Sequence, residues 1–207
     1  MAPSDYRIPA RDGSGLIETK GSRFYARAAS VRDELEVQSF LQATREGRAE
    51  ANHHAFAYRL GPTGARTRFR DDGEPGGTAG RPIMEILLRA DLVDVAVVVS
   101  RHFGGTLLGA GGLARAYGGA AALAVREAGV TVLRPHARLR VTIDYGLLGA
   151  VEQEIRRLGL RAPEAAYDAD VTLTISVPIG TVDDIRVRLA NLSAGSARVA
   201  ADDTVFL

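Results

Sequence analysis

The 207 residues are 46% apolar and 25% charged, a balance that excludes a disordered chain and is long enough for two modest domains. The absence of cysteine excludes disulfides, thiolate metal sites and a cysteine nucleophile, and fits a reducing compartment. A formal net charge of +1 excludes the strong basic excess of a protein that coats nucleic acid without selectivity.

Charge is divided unevenly along the chain. Residues 1–135 hold 18 Arg and Lys against 15 Asp and Glu, whereas residues 136–207 hold 8 against 10. Lys20 is the single lysine among 26 cations, so nearly every positive group is a guanidinium, suited to bidentate contacts with carboxylate or phosphate. A bias this uniform also follows from the base composition of coding DNA. The opening residues lack the apolar stretch of a secretory signal, and the longest strongly apolar run, Val95 to Val99, is too short to span a bilayer. A cytoplasmic location without membrane contact is therefore expected.

In chain order, residues 16–19 and 22–31 read as a hairpin turned at Lys20-Gly21. Residues 32–48 read as a helix with Leu35, Phe40 and Leu41 on its buried side. A second hairpin, 53–60 and 67–70, turns at Gly61-Pro62-Thr63-Gly64, and puts Arg66, Arg68 and Arg70 on one side of its second strand. A glycine loop, 73–80, precedes a helix over 82–89 with Pro82 at its first position. Residues 92–100 form a buried strand, and a second glycine loop feeds a helix over 109–128. The crossover after Ser100 predicts a mixed sheet with helices on one face. From residue 136 the order is strand 137–144, helix 146–159, strand 160–167, strand 171–178, a helix from the N-cap Thr181 to Asn191, and strand 197–207. That βαββαβ order is the ferredoxin-like motif. The fold class is α+β, with domains over 1–135 and 136–207.

The loop from Phe103 to Ala120 follows a strand and opens a helix, as phosphate loops do. No Gly-Lys-Ser/Thr follows, and the G-x-G-x-x-A match at Gly109, Gly111 and Ala114 lacks the acidic residue of a dinucleotide site. Small residues at Ala110, Ala114, Gly118 and Ala121 instead predict a helix lying close to a sheet. In Asp71-Asp72-Gly73-Glu74 the acids could pair for magnesium, but acids in a glycine turn more often cap neighbouring N–H groups. His53 and His54, adjacent on a strand, point to opposite faces and cannot both ligate one metal. A hydrolase built on His53, Asp71 and His102, with Ser100, Thr78 or water as nucleophile, is the enzymatic alternative. A non-enzymatic protein with no catalytic residue, metal or cofactor is the leading expectation.

Three segments, Ala51-Asn-His-His-Ala-Phe-Ala-Tyr-Arg-Leu-Gly61, Asp71-Asp-Gly-Glu-Pro-Gly-Gly-Thr-Ala-Gly-Arg-Pro82 and Arg101-His-Phe-Gly-Gly-Thr-Leu-Leu-Gly-Ala-Gly-Gly-Leu-Ala-Arg-Ala-Tyr-Gly118, together resemble the YigZ/IMPACT family. The resemblance implies an N-terminal domain like domain four of elongation factor G, on the fold of a ribosomal protein's second domain, and a ferredoxin-like tail. Eukaryotic relatives regulate translation initiation, so the implied partners are the ribosome, RNA or a translation-related protein. Ala55, Leu107 and His102 stand where the family commonly has cysteine, lysine and an aromatic residue, and loss of the lysine weakens a phosphate clamp. On this reading the binding face gathers His53, Arg70, Asp71, Glu74, Arg81, Arg101, His102, Gly104, Gly105 and Arg115 into one anion-seeking patch.

Overall fold

A computed structural model describes residues 4–207, which form two units, residues 6–132 and residues 133–207 with the segment through Asp5. In the first, Tyr6–Pro9 (β1), Gly13–Thr19 (β2), Ser22–Ser30 (β3), His53–Leu60 (β4), Arg66–Arg70 (β5), Val95–His102 (β6) and Val130–Leu133 (β7) are strands. Its helices are Glu34–Glu46 (α1), Gly80–Arg89 (α2) and Gly109–Ala128 (α3). Five strands make a sheet in the order β2-β3-β6-β4-β5, and β1 pairs with β7.

The sheet is antiparallel at every junction, not mixed. The connection after β6 leads through α3 to β7, outside this sheet, so no parallel crossover arises. Helices also cover both faces, not one. Strand parity explains this: Val95, Val97 and Val99 of β6 pack with Ala55, Ala57, Ile83, Leu87, Tyr117 and Ala120 under α2 and α3. Ala96, on the alternate face, joins Val31, Val37, Tyr58 and Leu60 in a smaller cluster under α1.

α1 starts two residues later than its sequence suggests, because Asp33 caps it: the carboxylate accepts from the Glu36 N–H at 2.9 Å, and Glu36 accepts from the Arg32 N–H at 2.8 Å. The stripe that faces the sheet is then Val37, Phe40, Leu41 and Thr44, and Leu35 is 73% exposed, contrary to its expected burial. α2 begins at Gly80, so Pro82 is its third residue; a first-turn position still tolerates the missing N–H. α3 lies close to the sheet through a buried stripe of small residues, of which Ala121 was expected and Ala120, Ala124 and Ala128 were not. The glycines of β2 admit it: a Cβ on Gly13 would run into the Ala124 carbonyl and the Ala128 backbone, and one on Gly15 would sit 2.7 Å from the Ala120 oxygen. Gly118 faces Pro82 of α2 at an ordinary 3.7 Å, and Ala110 is exposed.

The second unit contains Pro135–Ile143 (β8), Leu148–Arg157 (α4), Glu164–Tyr167 (β9), Val171–Pro178 (β10), Val182–Leu192 (α5) and Arg198–Phe206 (β11). Its antiparallel sheet runs β11-β8-β10-β9, the ferredoxin-like order. Leu139, Val141, Ile143, Leu173 and Ile175 alternate onto the face packed by Val151, Ile155, Ile185 and Leu189 of the helices. β9 is half its expected length: Gly159 turns with a φ of 67°, and Leu160 packs against the core before the strand begins. Thr181 occupies the N-cap position of α5, yet its hydroxyl donates backwards to the Pro178 carbonyl, so Asp183 and Asp184 alone complement the helix start. On the other face of the sheet Arg138, Arg140 and Arg198 are neutralised by Glu164, Asp202 and Asp170.

Candidate functional site

The acidic loop after β5 is built to hold the fold. The Asp71 carboxylate accepts from the N–H groups of Gly77 at 2.9 Å, Ala79 at 3.0 Å and Gly80 at 2.8 Å, which caps α2 as its place in a glycine turn predicts. Partial burial acts to raise its pKa, but the three backbone donors outweigh that and hold it below the usual carboxylate range. Because the folded pKa is the lower one, this contribution is complete above the unfolded value of about 3.9 and disappears as pH falls through the folded value. Wild type should therefore lose stability relative to Asp71→Asn as pH falls below about 4, read from urea midpoints; parallel curves would refute the assignment. At neutral pH Asp71→Ala should cost about 1–2 kcal/mol.

Asp72 has a φ of 53° and turns its carboxylate onto the His54 N–H at 2.8 Å, while pairing with Arg45 at 3.4 Å. Its carbonyl lies 2.9 Å from His53 Nδ1. Glu74 is buried. It accepts from Arg101 at 2.8 and 3.0 Å and from the Tyr117 hydroxyl at 2.7 Å. Desolvation, then the bond and charge of Glu74, push the Tyr117 hydroxyl well above its ordinary pKa. Among the described residues no group of three or more His, Asp or Glu side chains could hold a metal ion.

The residues expected to form one anion-seeking patch are therefore dispersed. Arg101 is a core residue, 5% exposed, locked against Glu74 and lying 5.5 Å over Phe24. Asp71 and Glu74 are spent on internal bonds. Gly104 presses on Gly21 and Ser22 so closely that a Cβ would overlap their backbone, and its N–H donates to Ser22 Oγ; Gly105, with a φ of 83°, completes that turn. Arg81 pairs with Glu85 on α2, and Arg115 is exposed on α3, both on helices of one face. Arg70 and His102 belong to the opposite side of the sheet.

Nor does the hydrolase constellation assemble. His53 pairs with Arg101 across β4 and β6, which places it on the α2/α3 side, and His102 follows Arg101 onto the other. The histidine that does meet a hydroxyl is His54, whose Nδ1 lies 2.9 Å from Ser100 Oγ, but that serine has no solvent exposure. Burial first, and the Arg45 charge second, lower the His54 pKa against the pull of Asp72, so the ring is neutral at pH 7.

What the α1 face does gather is arginine. Arg23 and Arg27 of β3, Arg45 of α1, Arg48 in the turn that follows it, and Arg66, Arg68 and Arg70 of β5 share it. Arg27, Arg45 and Arg48 have acidic partners at 3.4 to 3.9 Å, exposed at Asp12 and Glu50 and partly buried at Asp72, and Glu18 lies on the same side. The three arginines of β5 are exposed and, among the described residues, have no ion-pair partner. Between α1 and β5 lies a cleft of about 320 Å³. Gln38, Gln42 and Arg45 form one wall, Arg68 and Arg70 the other, and His54 and Phe56 the floor. Period-two spacing exposes the β5 arginines in the sequence; nothing local shows that α1 turns Arg45 toward them.

No helix among the described residues is long and apolar enough to cross a membrane. Residues 20–125 match the Impact N-terminal domain, and residues 141–196 match a domain of unknown function, DUF1949. IMPACT family member YvyE of Bacillus subtilis is 32% identical over 94% of this chain and 90% of its own length. IMPACT family member YigZ of Escherichia coli is 31% identical over 94% and 96%. A crystal structure described as that of a hypothetical protein superposes with a TM-score of 0.69 at 31% identity, covering 97% of this chain and 98% of the other. With both domains matched in order and relatives aligned almost end to end, this chain belongs to the IMPACT family.

Proposed function

We propose that the protein is a non-enzymatic, cytoplasmic, translation-associated regulator that docks on ribosomal RNA through the arginine face of an N-terminal domain spanning residues 1–135. Family membership supports the translational setting. The observation that carries the docking surface is the row of guanidinium groups at Arg66, Arg68 and Arg70, without ion-pair partners among the described residues, of which Arg68 and Arg70 face Arg45 across the cleft. Arginine forks fit phosphate oxygens bidentately, and phosphate contacts supply affinity without demanding a high net charge on the whole chain.

Co-sedimentation with ribosomes over a salt series tests this. Binding should weaken steeply with salt, by a log–log slope of about 0.7–0.9 per phosphate contact. Arg68→Glu with Arg70→Glu should reduce association at least about tenfold and flatten that slope. Arg81→Glu with Arg115→Glu, on the other face, should leave it unchanged. Retained binding in the first double variant would refute the reading.

A further inference from the structure

We infer that the cleft between α1 and β5 receives one unpaired nucleotide, its phosphate held by Arg68, Arg70 and Arg45 and its base laid on Phe56. This rests on the RNA-docking reading above and specifies which form of RNA is bound.

Four features carry it. The volume of about 320 Å³ lies at the small end of ligand sites, roughly 300–1,000 Å³, with room for a nucleotide and not for a helix or a duplex. The floor is aromatic and held in place: Phe56 is half-buried, packed against the cluster of Tyr58 and Leu60, with its ring 6.3 Å from that of Tyr58 at an interplanar angle of 4°. An aromatic ring held by packing that still lines the cleft offers a surface for a base. The walls rise above that floor as exposed guanidinium groups, so a phosphate at the rim and a base below meet suitable partners together. Finally, the two glutamines of α1 differ. Gln42 donates to Glu46 at 2.6 Å, whereas the Gln38 amide has no hydrogen-bond partner among the described residues and can offer a donor and an acceptor to a base edge.

Strand form follows from depth. A duplex keeps its base faces stacked and could touch only the arginine rim, while a single strand can turn a base inward. An acidic peptide would satisfy the guanidinium groups equally, but only in a nucleotide is every anionic group tied to an aromatic ring that can lie on Phe56.

The test uses the full-length chain and fluorescence anisotropy with two probes of equal charge, an unstructured oligoadenylate of roughly eight nucleotides and a perfect RNA duplex. The single strand should bind about tenfold tighter. Phe56→Leu should lower single-strand affinity on the order of tenfold while leaving the salt slope intact, since stacking releases no counterions. Because Phe56 also packs in the protein, Gln38→Glu serves as the second variant: it is exposed, leaves the fold alone and puts a carboxylate where the nucleotide enters, so it should weaken the single strand as well. Adenosine monophosphate should compete at millimolar concentration or below. Equal affinity for the two probes, or single-strand binding unchanged in both variants while Arg68→Glu/Arg70→Glu abolishes it, would overturn the nucleotide pocket and leave the RNA-docking surface standing. Binding that ignores the arginine reversal, or that appears only with polyglutamate in place of RNA, would remove both.

Discussion

Glu74→Ala should destabilise the first unit by about 3–5 kcal/mol, a large part of the 5–15 kcal/mol by which domains are usually stable. The carboxylate is 3% exposed and holds Arg101 through both oxygens and the Tyr117 hydroxyl through one. Its removal leaves a guanidinium charge in the core whose Nε already has no partner among the described residues, together with an orphaned phenol. An uncompensated buried charge is the costly element, more than the lost attraction. Tyr117→Phe removes one hydrogen bond to a charged group and should cost about 1.5–3 kcal/mol. Glu74→Leu combined with Arg101→Met abolishes the charges together and should recover most of the loss. Urea midpoints measure all three. A loss below about 1 kcal/mol for Glu74→Ala would show that water or rearrangement rescues Arg101, and that the network is not the joint it is taken to be.

Gly13→Ala should cost about 3 kcal/mol, the upper range for an overpacked contact. The glycine does not sit in the left-handed region, so the penalty is steric and not conformational. What a methyl group meets is main chain, the Ala124 carbonyl and the Ala128 N–H and Cα, none of which can swing aside as a flexible side chain would. α3 must therefore lift from β2 as a unit, losing packing at Ala120, Ala124 and Ala128. Gly15→Ala demands the same displacement. Once one substitution has moved the helix the other adds less, so the double variant should fall short of the sum by about 1 kcal/mol. Strict additivity, measured by denaturant unfolding, would contradict a shared rigid-body shift.

Legibility in the sequence followed locality. The ferredoxin-like half could be read because strand period, helix spacing and turn residues agree within each short window, as in Leu139, Val141 and Ile143. The same period-two rule put Arg66, Arg68 and Arg70 on one side of β5. Errors entered where the deciding partner is distant. Arg101 ends an apolar strand and looks like a surface cation; its neutralising carboxylate lies at residue 74 and the hydroxyl at residue 117. The parity of His53 against His102 is fixed only once His53 is known to face Arg101 across the sheet. Leu35 follows the helical period nearly as well as Val37 does, and the cap at Asp33 decides between them. The short strands β1 and β7 carry too few residues for a pattern to stand out.

The central place of β6 bears on how the chain acquires this sheet. The strand pairs with β3 on one side and β4 on the other, so both earlier hairpins wait for residues 95–102 before they share a common layer. A chain emerging from the ribosome therefore carries two separate ribbons, each with an unsatisfied inner edge, until synthesis has passed residue 102. Closure then comes in one cooperative step that joins segments up to about 80 residues apart, the kind of non-local pairing that slows folding. Nascent chains stalled before Val95 should be sensitive to protease and to edge-to-edge association, and those extended through Ala128 resistant to both.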